Sequence, residues 1–200
     1  MARATPSLSK LLQARGVLTE RALIEAFVGA PVRGSWWGHP EGKAIFRALA
    51  TLGEDKDVFI CKLLEGKQTY VHRRLWPALL RLQAEASLWP PLTARARRLL
   101  ARVEEKGSVQ ATGPVRLELE RALRVVAQSR HTASGAHAVV LSPLQGHFPA
   151  ASCRKAARLT LAEAQAALGT LPTRTASLPT KAGLRTASPG RGKAHREGRR

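Results

Sequence analysis

Acidic residues are scarce in this chain: 14 Asp and Glu stand against 33 Lys and Arg, a formal charge of +19. Such an imbalance costs a compact fold self-repulsion unless an anionic partner or salt relieves it. Cysteine is almost missing. Cys61 and Cys153 alone cannot supply a disulfide framework or a four-cysteine zinc site, and so small a number fits a reducing, cytoplasmic setting. Long apolar runs are missing too. No stretch reaches the about 18 residues that mark a membrane span, and Leu8, Leu11 and Leu12 are spaced for one helical face rather than for the apolar region of an export signal. No membrane partner is therefore expected. Gly34, Gly38 and Gly42 match neither the phosphate-loop nor the dinucleotide fingerprint, so no cofactor is expected either.

What the chain does have is enough apolar material for a core, 44% of 200 residues. Nucleic acid, double-stranded DNA first, is the partner expected for its charge; anionic membrane, acidic protein and simple solubility compete as explanations. The charge is uneven. Residues 151–200 hold eleven basic and two acidic side chains, a net +9, against 22 basic and 12 acidic, a net +10, in the first 150.

The apolar spacing predicts an α+β, predominantly helical protein: two winged-helix-like units in tandem and a disordered basic C-terminal tail. In the first unit, 1–88, Ser7 to Arg15 reads as a helix stopped by Gly16, and Thr19 caps a second over Glu20 to Val28. Pro40 opens a third, with Ala44, Ile45, Ala48 and Leu49 on its apolar face. Residues 57–73 read as a hairpin turned at Glu65-Gly66, and Leu75 to Ala86 as a helix with Pro77 in its first turn. The second unit, 92–142, starts with a helix capped by Thr93 and ended by Gly107. A short strand at Val109 to Ala111, a helix through Leu119, Ala122, Leu123 and Val126, and a β-prone Ala136 to Leu141 follow. A variable segment, 143–168, contributes one helix, Leu159 to Leu168. From 169 to 200 large apolar side chains almost vanish, and disorder is expected. There Arg174-Thr175-Ala176-Ser177 recurs as Arg185-Thr186-Ala187-Ser188, which reads as a flexible anion-binding or phosphorylatable arm, as low-complexity bias, or as a non-native reading frame.

Three helices followed by a hairpin is the element order of a winged helix, whose third helix enters the major groove. On that reading Lys43 and Arg47 on the third helix, Lys62 and Lys67 on the hairpin, and Arg73 and Arg74 at its exit are the nucleic-acid-binding candidates, because Lys and Arg displace counterions from phosphate. The bland alternative is a solvated basic face, with Arg73 or Arg74 pairing to Glu54, Asp55 or Asp57. In Ser35-Trp36-Trp37-Gly38-His39-Pro40 two adjacent tryptophans precede a helix. They are expected to point different ways, one into the core and one toward a base or a partner, with packing for both as the alternative. In Val71-His72-Arg73-Arg74-Leu75-Trp76-Pro77 strand alternation would put His72 and Arg74 on one side and Arg73 on the other.

His39, His72, His131 and His137 are candidates for a shared pocket, yet no familiar spacing joins them. His131 and His137 are six apart rather than the four that align two imidazoles on a helix, and no carboxylate lies close enough in sequence to complete a familiar triad, although triads also assemble from distant segments. No metal site and no catalytic residue is therefore assigned. Together with His131-Thr132-Ala133-Ser134-Gly135-Ala136-His137, the two tryptophan-containing segments resemble a group of small bacterial proteins to which no activity is assigned. The likeness spans residues 20 to about 141. The resemblance implies tandem winged-helix units, the build of some bacterial DNA-repair proteins; the segment after Leu141 departs from the pattern. The expected function is non-catalytic DNA binding, with a DNA-processing enzyme using the histidines, or a protein-interaction module, as alternatives.

Overall fold

Caps and turns decide where each helix begins. A computed structural model describes residues 7–131 and 137–169. The Ser7 hydroxyl accepts the Lys10 N–H to start α1 (Leu8–Arg15), and the Thr19 hydroxyl accepts the Ala22 N–H to start α2 (Glu20–Val28). Between them lies β1 (Val17–Thr19), a strand too short to show in the apolar pattern. A 3-10 turn over Trp36–Gly38 leads into α3 (Gly42–Glu54), so Pro40 sits in the approach rather than at the first helical position. The hairpin is β2 (Val58–Cys61) and β3 (Thr69–His72). The connection between them is 62–68, and its reversal takes positive φ at both Glu65 (52°) and Gly66 (70°), with the Lys67 N–H donating to the Leu64 carbonyl at 2.8 Å. Arg73–Leu75 form a 3-10 turn, not strand, before α4 (Trp76–Ala84). Strand alternation therefore does not govern where Arg73 and Arg74 point.

The second half runs α5 (Ala94–Lys106), β4 (Val109–Gln110), α6 (Gly113–Arg121), β5 (Val125–His131) and β6 (His137–Pro143), then α7 (Ala150–Ala156) and α8 (Leu161–Leu168). The helix expected through Val126 stops at Arg121. Leu123 adopts φ 49°, which breaks the helix, and Val125 and Val126 enter β5 with both side chains buried. About 54% of the described residues are helical and 16% are in strands, so the fold is α+β with helix predominant. The expected tail, its repeat and the turn at Thr132, Ser134 and Gly135 lie outside the described residues, as do the side chains of His131 and His137.

Two three-stranded antiparallel sheets result, ordered β1-β3-β2 and β4-β6-β5. Val71 at the centre of the first faces Val17 and Phe59, and Leu141 at the centre of the second faces Val109 and Ala127. One core joins α1, α2 and α3 through Leu12, Leu23, Ile45 and Leu52 to Tyr70 of β3. Another joins α5 and α6 to the second sheet through Ala96, Val103, Leu119 and Leu141. A third spans both halves. In it Phe59, Val71, Leu75, Trp76 and Leu79 pack with Leu123, Val126, Phe148, Ala164 and Leu168. The Phe148 ring meets Phe59 at 4.9 Å and Trp76 at 5.3 Å, and Arg81 Nε donates to the Leu159 carbonyl at 3.1 Å. Segment 143–168 is thus wedged against α4, and each large buried side chain there contributes about 1.5–3 kcal/mol of transfer free energy.

Candidate nucleic-acid interface

Helix α3 is amphipathic by sequence: Ile45, Leu49 and Leu52 go inward, and Lys43, Phe46, Arg47 and Ala50 stay outside. Its N-terminal approach is tight. A Cβ on Gly42 would meet the Trp37 carbonyl at 3.2 Å and that of Trp36 at 3.4 Å, so glycine lets the tryptophan turn sit on the helix start. Trp36 is half-buried against the first core and donates its indole N–H to Glu20 Oε1 at 3.1 Å. Trp37 stacks on Trp36 with ring centres 4.1 Å apart and lies 5.7 Å from Phe46. The rings lie face to face rather than pointing apart, with Trp36 half-buried and Trp37 exposed. Trp37 (66% exposed) and Phe46 (52%) are the strongly exposed large apolar side chains among the described residues. With Gly42, Lys43 and Arg47 they line a cleft of about 320 Å³. A larger groove, about 840 Å³, continues from Trp37 and Phe46 past Ala50 to Gln128, Ser129 and Arg130 on the edge strand β5.

Among the described residues, no carboxylate lies within ion-pair distance of Lys43 or Arg47. The other four candidate cations are engaged inside the protein. Lys62 reaches buried Glu120 at 3.9 Å, and Arg116 shares that carboxylate. Arg74 donates to the Gln13 and Ala14 carbonyls, both at 3.0 Å, closing the C-terminus of α1. Arg73 pairs with Asp57 at 3.1 Å and Lys67 with Glu65; both pairs are solvent-exposed and weak enough to yield to a competing anion. Arg73 and Arg74 also line a cleft of about 490 Å³ with Lys56 and Lys155, where Asp57 is the carboxylate in the lining.

Sequence reasoning overlooked a further cationic surface. Arg95, Arg98, Arg102 and Lys106 recur at the i, i+3, i+7, i+11 spacing of one helical face and are all exposed on α5; among the described residues none has a carboxylate partner. The signal was available, since charge follows the same 3.6-residue period as the apolar face.

Of the four candidate histidines, His131 and His137 are register partners across β5 and β6, and the two whose side chains are described, His39 and His72, do not come together. His39 Nδ1 accepts the Glu41 N–H at 3.1 Å and His72 Nδ1 accepts the Arg74 N–H at 3.4 Å, each within its own turn, and neither lines the clefts above. Burial, opposed mainly by Asp57, holds His72 below its ordinary value, so it is neutral near pH 7. Burial pushes the thiol of half-buried Cys61 up to about 12. Among the described residues no group of three His, Cys, Asp or Glu is placed to hold a metal ion, and no helix is long and apolar enough to cross a membrane. No family model, curated protein or solved structure matches the chain.

Proposed function

We propose that the chain is a non-catalytic DNA-binding protein built from two winged-helix-like units. The observation that carries the reading is the set of cations that have no carboxylate partner among the described residues and lie on outward helix faces, Lys43 and Arg47 on α3 and four more along α5. The order α1-β1-α2-α3-β2-β3 with sheet order β1-β3-β2 supports it, because a winged helix runs in that order and presents its third helix to the major groove. The sequence α5-β4-α6-β5-β6 with sheet order β4-β6-β5 repeats the plan with one helix fewer. Contacts by Lys43 and Arg47 position the first unit on phosphate, the α5 stripe tracks the backbone, and the basic residues of 169–200 add attraction without regard to sequence. The exposed Trp37–Phe46 pair favours protein docking as a second reading, but Lys43 and Arg47 beside it fit an anionic partner better.

The test is the salt dependence of binding to a blunt DNA duplex. The logarithm of the binding constant should fall steeply with the logarithm of salt concentration, by about 0.9 for each phosphate neutralised. Replacing Arg95, Arg98, Arg102 and Lys106 by Ala should make that slope shallower by about 3.6, and replacing Lys43 and Arg47 by about 1.8. A flat slope for the unaltered chain would overturn the proposal.

A further inference from the structure

The α3 face holds something that phosphate contact alone does not use. An exposed tryptophan and an exposed phenylalanine in contact are unfavourable in water, and single-signed charge on either side does nothing to hide them. We infer that this ledge is a stacking platform for an unpaired nucleobase, so that the DNA preferred by the chain carries a single-stranded stretch beside its duplex. The inference rests on the DNA-binding reading and names the substrate class of the same site.

Four observations converge. Trp36 covers one face of the Trp37 ring at 4.1 Å and is itself held by Glu20, so the platform is fixed before any ligand arrives. About two-thirds of the Trp37 surface remains open, enough for a base to extend the stack as a third ring. Lys43 and Arg47 line the same cleft and stand where the phosphates flanking a stacked base would need neutralising. The groove running on from the ledge is lined mostly by apolar side chains, with Gln68, Gln128, Ser129 and Arg130 the amides, hydroxyl and guanidinium that could reach base edges a duplex would hide; of these, Gln68 donates to the Tyr70 hydroxyl and Arg130 to Gln128. Two carboxylates also line this groove: Glu20, already bonded to Trp36, and Glu54 at the far end of α3. A base inside a duplex has both faces covered by its neighbours and cannot use the platform; an unpaired one can. An apolar peptide would have no use for the two cations, which is why the base is the assigned occupant.

The experiment compares two probes of identical phosphate number on the full chain: a duplex with a short thymine overhang, and the same duplex with an overhang of abasic sugar-phosphate. The thymine probe should bind about 5- to 150-fold more tightly, the range that stacking of one base supplies. Trp37→Ala and Phe46→Ala should each lose most of that advantage while leaving the abasic probe unaffected; both side chains are exposed, so neither change threatens the fold. Trp37→Phe should keep part of the advantage and abolish the quenching of indole fluorescence that the thymine probe produces. Equal, steeply salt-dependent binding of the two probes would overturn the platform while leaving DNA binding intact. Salt-independent binding, or none, would overturn both. Self-association that Trp37→Ala removes, with equal binding of the probes, would assign the ledge to a second copy of the chain and likewise overturn the inference.

Discussion

The cations around the hairpin and those on α3 and α5 have the same chemistry and different employment. Lys62 and Arg74 are spent on the protein itself, one shared with buried Glu120 and the other closing α1 through the Gln13 and Ala14 carbonyls. Lys43, Arg47, Arg95, Arg98, Arg102 and Lys106 hold nothing in place among the described residues. Charge counted along a chain therefore overstates the charge offered to a partner. Position decides the difference, since an arginine at the end of a neighbouring helix gains two oriented carbonyls, whereas one on an outward helix face meets only water.

The sharpest way to break this contrast is through the core that both halves share. Phe148→Ala should destabilise the protein by about 3–5 kcal/mol, because the ring fills the space between Phe59 and Trp76. Chemical denaturation should still show one transition, and two separated transitions would mean that the halves fold independently. Next in size, Arg74→Ala should cost about 1–2 kcal/mol in the same measurement by releasing the end of α1. Its slope of DNA affinity against salt should stay nearly unchanged. Removing the four α5 cations should do the reverse, altering stability by no more than about 0.5 kcal/mol for each side chain. If Arg74→Ala makes the slope markedly shallower without a stability loss, the division between internal and outward cations fails.

The smallest effect concerns pH. His147 stays exposed, but contact of its ring with Phe59 and Phe148 takes part of its water and holds its pKa below the ordinary 6.5, and burial does the same for His72. Between the lowered folded value and 6.5 the unfolded chain binds more protons, so stability declines as pH falls below 6.5 and does not change through these groups above it. His147→Phe should flatten part of that decline in melting temperatures taken between pH 5 and 7. An unchanged pH profile would show that the ring is solvated in solution.

Elements with local signals were legible. Thr19 and Thr93 cap their helices as the spacing of hydroxyl to apolar face requires, and the Glu65-Gly66 reversal sits where turn chemistry puts it. Elements whose signal is pairing were not. Strand β5 continues the helical apolar spacing of Leu119 and Leu123, and only the left-handed turn at Leu123 with the partner strand β6 makes it a strand. Strand β1 has three residues and exists because β3 offers it an edge. Of the candidate site, Lys43, Arg47 and an outward tryptophan were visible in the sequence; which tryptophan, and its contact with Phe46, were not.

By itself the sequence determined the net positive charge, the caps at Thr19 and Thr93, and the place of the hairpin reversal, since each depends on residues within a few positions of one another. Tertiary structure alone decided that Arg74 meets carbonyls about sixty positions away, that Trp37 rather than Trp36 stays open, and that segment 143–168 completes the core. Those outcomes follow from packing two distant segments against one another, and the free energy of such contacts belongs to neither segment alone.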